Sequence, residues 1–213
     1  MNERDYKKER QWMIAKQLKP RGINDQKVLK AMKTVPRHLF VPEGYRDYAY
    51  DDGPIPIDKE QTISQPYIVA LMAQELKLDE GKKVLEIGTG SGYAAAVLSH
   101  IAGQVFTVER HPELAEKARQ CFAKLDYDNI SCRTADGTEG WKEKGPFDGI
   151  MVSAAAPVIP EALIEQLAMG GRIIIPIGDW GGIQKLLRAT RKTENRLESE
   201  ELDYVRFVPL IRD

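Results

Sequence analysis

Three carboxylates, Glu86, Glu109 and Asp136, each stand at the end of an apolar run, and the first leads directly into the glycine turn Gly88-Thr89-Gly90-Ser91-Gly92. Glycines allow a tight turn and let a ligand touch backbone. The G-x-G-x-G spacing differs from the G-x-G-x-x-G of a dinucleotide fingerprint, which admits a pyrophosphate against a helix N-terminus. Glu86 sits two residues before the first glycine, where a carboxylate would repel a pyrophosphate and attract a cation. A ligand with an ammonium, a sulfonium and no phosphate fits that setting, so S-adenosyl-L-methionine is the expected cofactor and NAD a poor one. Glu109 follows Gly88 by twenty-one positions, where an acidic residue of this architecture holds a ribose hydroxyl pair. Asp136-Gly137, after the next run, is placed to reach the adenine. Any one of the three carboxylates alone reads equally well as a helix cap or a solvated loop residue. Together, at consecutive strand ends, they describe one cofactor site.

The acceptor is narrowed by what is missing. In the class I methyltransferase domain, which the stretch Val84 to Gly92 resembles, methylation of nucleobase amines uses an Asn/Asp-Pro-Pro-aromatic loop after the fourth strand. Here that place reads Ser153-Ala154-Ala155-Ala156-Pro157, which has nothing to hold an exocyclic amine. His38, His100 and His111 show no ligand spacing, and no metal is expected. An acceptor that is already an anion needs no general base, since a carboxylate with a pKa near ~4 is ionised at pH 7. Catalysis then reduces to aligning the oxygen and excluding water.

These residues need strands to carry them and a cover to keep water out. Strands are expected at Lys83-Gly88, Val105-Glu109, Ile130-Thr134, Phe147-Ser153 and Arg172-Ile177, with helices near 92-101, 112-124 and 160-168 between them. This is the alternation of β-α-β units. Gly149-Ile150-Met151-Val152 and Ile173-Ile174-Ile175 suit strands buried on both faces of a parallel sheet. Lys185-Thr190 and Tyr204-Leu210 are expected as edge strands after Gly181-Gly182. Upstream, residues 3 to 18 have one apolar stripe at helical spacing, and a second helix starts at Asn24 or Asp25 and ends before Pro36. A third helix follows Pro66. Between Pro36 and Gln65, five prolines and glycines after Pro36 interleave with Tyr45, Tyr48 and Tyr50. That composition predicts a long ordered loop, the candidate lid.

The stretch Val84 to Gly92 matches the first motif of the class I methyltransferase domain, which this chain resembles over about residues 80 to 178. The resemblance implies a Rossmann-like fold and places Glu109 on the ribose. Asp51-Asp52-Gly53-Pro54-Ile55-Pro56-Ile57 and Gln61-Thr62-Ile63-Ser64-Gln65-Pro66 resemble the protein-L-isoaspartate O-methyltransferase family. Val35-Pro36-Arg37, Phe40-Val41-Pro42 and Arg206-Phe207-Val208-Pro209-Leu210 match it as well, so this resemblance spans nearly the whole chain. It implies methyl transfer to the α-carboxyl of L-isoaspartyl residues, whose ester collapses to a succinimide that reopens partly to aspartate. Ser64 matches the residue assigned as the active site in that family. With no histidine partner evident it is expected to orient the acceptor carboxylate or a water rather than to attack. Its plain alternative is a cap on the helix that starts at Pro66. Ile63, Gln65, Val208, Pro209 and Leu210 are the expected substrate-binding residues, the apolar ones either pairing with an extended peptide or packing the core. The same fold acting on another small molecule or on RNA is the alternative reading, and a non-enzymatic binding protein is a further one.

The expected class is therefore α/β: a doubly wound, mostly parallel seven-stranded sheet of the Rossmann-like methyltransferase type with an N-terminal helical and loop extension. Residues 1-80 supply the helices and substrate-covering loop, and 81-213 the S-adenosylmethionine-binding domain, packed as one compact unit. A chain of 213 residues with 42% hydrophobic and 30% charged residues is long enough for one full core. The formal net charge of -1 argues against nucleic acid as a partner. Cys121 and Cys132 form no C-x-x-C pair and read as buried thiols of a reducing compartment. The first ten residues lack the apolar stretch of a signal peptide and no run approaches a membrane span. A cytoplasmic monomer acting on age-damaged proteins and peptides is expected, with neither membrane nor metal.

Overall fold

The computed structural model describes residues 3–179, 181–194 and 196–212. Its N-terminal stripe forms α1 (Glu3–Met13), which runs on as a π-helix, Ile14–Leu18, and a 3-10 turn, Lys19–Arg21. Gly22, at φ 87°, stops it. Next, α2 (Gln26–Thr34) is capped by Asp25, whose carboxylate accepts the amides of Lys27 and Val28. Its face of Val28, Leu29, Ala31 and Met32 is buried, and it ends just ahead of Pro36.

The long loop is less irregular than its composition predicts. Two 3-10 helices, Arg37–Leu39 and Glu43–Tyr48, are followed by a short antiparallel hairpin of β1 (Ile55–Pro56) and β2 (Thr62–Ile63). The third helix, α3 (Pro66–Leu76), opens on proline, whose missing N–H is harmless in the first turn. Nine of its eleven residues are buried, so it lies between the loop region and the sheet rather than on the surface.

From there the chain follows the β-α-β pattern: β3 (Lys83–Ile87), α4 (Tyr93–Ser99), β4 (Gln104–Glu109), α5 (Pro112–Lys124), β5 (Ile130–Thr134) and β6 (Phe147–Val152). After α6 (Glu161–Glu165) come β7 (Leu167–Ile177), β8 (Gln184–Thr193) and β9 (Arg196–Val205). The seven-stranded sheet has the order β5-β4-β3-β6-β7-β8-β9, parallel through β7 and antiparallel beyond it. Ile173, Ile174 and Ile175 of β7 are wholly buried, each stabilising the fold by roughly 1.5–3 kcal/mol relative to an exposed side chain. Strand order reverses between β3 and β6, and the crevice outside the carboxyl ends of those strands is where ligands bind in open α/β sheets.

Two expectations need correction. The helix placed at 160-168 closes after Glu165, because Leu167 already pairs with Phe147 in the sheet. The edge strand placed at Tyr204-Leu210 instead occupies Arg196–Val205, and residues 206–210 leave the sheet edge. They cross to the end of β6, where Ala155 donates to the Val208 carbonyl at 2.8 Å and accepts from the Leu210 amide at 2.7 Å. The edge strand escapes pattern reading because cross-strand ion pairs, not an apolar alternation, occupy it. Lys192 meets Glu198 at 3.0 Å, Lys185 meets Glu201 at 2.9 Å, and Arg188 pairs with Glu200. Such a charged edge resists pairing with another chain.

Candidate active site

The glycine turn is built by the sheet beneath it. The amides of Gly88 and Thr89 both donate to the Val108 carbonyl, at 2.9 and 3.3 Å, and the Gly92 amide closes the turn onto Thr89 at 2.8 Å. Gly88, Gly90 and Gly92 have φ of 90°, 53° and 87°, left-handed values that favour glycine. Their neighbours differ. A Cβ at Gly92 would lie 2.7 Å from the Phe122 ring, so this glycine lets α4 pack on α5.

A cleft of about 390 Å³ opens above the turn. Glu86, Gly88, Thr89, Gly90, Ser91, Glu109 and Gly137 line it from the sheet side, and Ile63, Ser64, Val208, Pro209 and Leu210 from the cover. Of the fifteen residues flagged by the sequence, these twelve meet at one cleft, whereas Gly92, Asp136 and Gln65 do not line it. Asp136 caps the 3-10 turn Gly137–Glu139, accepting the Thr138 amide and hydroxyl, both at 2.8 Å. Gln65 lines a second cleft of about 350 Å³, which shares Thr62, Ser64 and Phe207 with the first. Ile68, Ile183 and Tyr204 make its wall largely apolar, and Arg206 adds a cation.

Glu86 is wholly buried, and its Oε1 has no hydrogen-bond partner. Its Oε2 accepts the Thr107 hydroxyl at 2.6 Å, and Thr107 in turn meets the Thr89 hydroxyl at 2.6 Å. Burial pushes the Glu86 carboxyl up to about 8, against the opposing pull of the Thr107 bond. Such a site is completed by a donor of positive charge. Glu109, 5% exposed, accepts the amides of Gly90 at 2.8 Å and His111 at 3.0 Å. It thereby ties the end of β4 to the glycine turn and to the start of α5.

Ser64 caps nothing. The N-cap of α3 is Gln65, with no side-chain cap bond, and Gln65 instead reaches the Asp52 carboxylate at 2.7 Å. The Ser64 carbonyl is held by Arg37 Nη2 at 2.8 Å. Cleft residues without a motif of their own include Tyr93, Ser153, Ala154 and the hairpin tip Lys59-Glu60, while Phe207 comes from the C-terminal motif. Ser153 was readable only as the residue at the end of β6. Its Cβ lies 3.5 Å from where Gly88 would carry one, so the two strand ends meet there. The hairpin lies over the turn, with Ile57 Cδ1 3.7 Å from where Gly90 would carry a Cβ. No cluster of three or more potential metal ligands occurs among the described residues, and none of their helices is long and apolar enough to cross a membrane. Both cysteines are half-buried free thiols, raised by burial.

The family model described as Protein-L-isoaspartate(D-aspartate) O-methyltransferase (PCMT) matches residues 8–213. A protein-L-isoaspartate O-methyltransferase of Brucella anthropi is 53% identical over 208 residues, covering 98% of this chain and 95% of its own length. A protein-L-isoaspartate O-methyltransferase 2 of Marinobacter nauticus is 54% identical over 202 residues, covering 95% and 92%. Among solved structures, a protein-L-isoaspartate O-methyltransferase superposes with a TM-score of 0.82 at 30% identity over 96% of this chain, which spans 65% of that one. A Plasmodium falciparum protein described as a putative protein-L-isoaspartate O-methyltransferase, in complex with S-adenosyl-L-homocysteine, gives 0.80 at 27% identity over 98% and 99%.

Proposed function

The chain belongs to the protein-L-isoaspartate O-methyltransferase family, and from that premise we propose that it methylates the α-carboxyl of L-isoaspartyl residues in damaged proteins and peptides, with S-adenosylmethionine as donor. The observation that carries this reading is the shared wall: Ser64 and Phe207 border both the carboxylate-lined cleft and the apolar one. A cofactor and a peptide held in adjoining clefts would meet at that wall.

The residues present fit the cofactor. Glu86 offers a buried, unpartnered carboxylate oxygen for an ammonium, Glu109 offers carboxylate lone pairs for ribose hydroxyls, and Gly88 and Gly90 leave the backbone open beside them. Gly137 lets its loop pack onto the end of β3, since a Cβ there would lie 2.5 Å from Ile87 Cγ2. S-adenosylmethionine, when bound, supplies an electrophilic methyl on a sulfonium.

The remaining chemistry is positional. The acceptor carboxylate is already an anion at neutral pH and requires no base. The Ser64 hydroxyl donates to one of its oxygens or to a water and fixes its direction. Ile63, Val208 and Leu210 keep the meeting point apolar, which favours an anion and a cation combining to neutral products. Pro209 and Leu210 are rigidly placed because their backbone is paired to Ala155. The peptide therefore runs along the second cleft, past Gln65, Ile68 and Phe207.

The test is incubation with methyl-labelled cofactor and an isoaspartyl peptide beside its aspartyl twin. Label on the isoaspartyl peptide alone, and a fall in turnover of about tenfold or more in Ser64→Ala, are expected. Methylation of both peptides or of neither would overturn the reading.

A further inference from the structure

Arg37 is the largest side chain that the fold buries completely, and it pairs with no carboxylate among the described residues. Its fork reaches two carbonyls of the covering loop instead: Nε donates to Ala49 O at 2.7 Å and Nη2 to Ser64 O at 2.8 Å. The guanidinium carbon stands 4.6 Å from the centroid of the Tyr93 ring. Tyr93 opens α4 directly after the glycine turn and lines the cofactor cleft. One side chain thus connects three parts of the site: the start of the loop, the Ser64 strand end, and the helix beneath the cofactor. Burial draws the guanidinium down to about 10, which leaves it cationic at neutral pH.

An unpaired buried cation is a costly way to hold a loop, since an apolar side chain of similar volume often stabilises as well or better. Its planar fork does what an apolar group cannot, fixing two carbonyls 15 residues apart in sequence in one plane. We propose that Arg37 is a positioning residue for methyl transfer: by clamping the Ser64 carbonyl while resting on Tyr93, it sets where the Ser64 hydroxyl points relative to the cofactor cleft. The inference rests on the proposed function and on the role given there to Ser64.

The experiment is a double-variant cycle with Arg37→Lys, Arg37→Gln and Ser64→Ala, reading kcat, KM for an isoaspartyl peptide, S-adenosylhomocysteine affinity and thermal unfolding. Lysine keeps the charge and loses the fork. Arg37→Lys is expected to lower kcat about tenfold or more, to leave S-adenosylhomocysteine affinity within about twofold, and to lower kcat by less than about twofold when Ser64 is already alanine. Equal losses on the two backgrounds, cofactor affinity falling in step with kcat, unchanged kcat, or a silent Ser64→Ala each overturn the proposal. Should Arg37→Lys not fold, the same cycle with Arg37→Gln decides, and failure of both to fold assigns Arg37 to stability alone and overturns it. An inactive wild-type protein would instead sink the proposed function, so the two failures are distinguishable.

Discussion

Thr107 Oγ1 donates to Glu86 Oε2 at 2.6 Å inside the sheet, with both residues wholly buried. A hydroxyl has one proton, so when Glu86 is ionised the second contact of Thr107 must be a bond received from Thr89, at 2.6 Å. The glycine turn and the carboxylate are therefore oriented by one chain of bonds. Thr107→Val keeps the shape and leaves two buried polar groups unsatisfied, so S-adenosylhomocysteine affinity should fall about tenfold while the protein stays folded. Thr107→Ser should stay within about twofold of wild type. Calorimetric titration measures both, and an unchanged affinity in Thr107→Val would show that the chain does not orient the site.

The Glu86 carboxyl, lifted by burial to about 8 from 4.5, makes cofactor uptake pH-dependent. Only the ionised form pairs with an ammonium, so affinity for S-adenosylhomocysteine should rise with pH up to about 8 and uptake at pH 7 should release protons. Calorimetry in buffers of different ionisation enthalpy counts them, and Glu86→Gln should abolish the release. The sign for stability is opposite. A carboxyl whose folded value is raised contributes stability fully present below 4.5 and lost as pH rises through about 8. Urea unfolding of the unliganded protein should show that loss, and Glu86→Gln should flatten it. A wild-type profile no steeper than that of the variant would contradict the assignment.

Gly92 lets α4 pack against Phe122 of α5. A Cβ there would sit 2.7 and 2.8 Å from two Phe122 ring atoms, at a φ of 87°. Left-handed strain and overpacking together should cost Gly92→Ala about 2–4 kcal/mol. Phe122→Leu should recover about 1 kcal/mol of that in a double-variant cycle followed by chemical denaturation. Strict additivity would place the strain elsewhere.

These results divide what the sequence could reveal from what it could not. The glycine turn with Glu86, and Glu109 at the next strand end, were legible because local spacing defines them. Ser64 was legible from its motif, yet its support was not: Arg37 lies 27 residues away and meets it only through the folded loop. Asp136 and Gly92 also do work that no motif states, since the first caps a 3-10 turn and the second admits a phenyl ring. The edge strand Arg196–Val205 was illegible because its cross-strand contacts are ionic. Tyr93, Phe207 and the hairpin tip reach the cleft through contacts that no periodicity encodes.

The hairpin tip gives the last prediction. Lys59 and Glu60 hold φ of 59° and 57°, a left-handed conformation costing roughly 1–2 kcal/mol per residue without glycine. Two exposed ion pairs oppose that strain: Lys59 meets Glu113 of α5 at 2.8 Å, and Asp58 meets Lys117 of the same helix. Such exposed pairs contribute little and weaken with salt. The strain of the tip is larger than what such pairs return, so the latch holds the hairpin only weakly. Glu113 and Lys117 do not line the cleft, so Glu113→Gln/Lys117→Gln alters the latch and not the binding surface. Stopped-flow displacement should show S-adenosylhomocysteine leaving the double variant about two- to tenfold faster than wild type. Raising salt should speed release from wild type toward that rate and leave the variant nearly unchanged. Equal salt responses in the two proteins would mean that the hairpin does not gate the cleft.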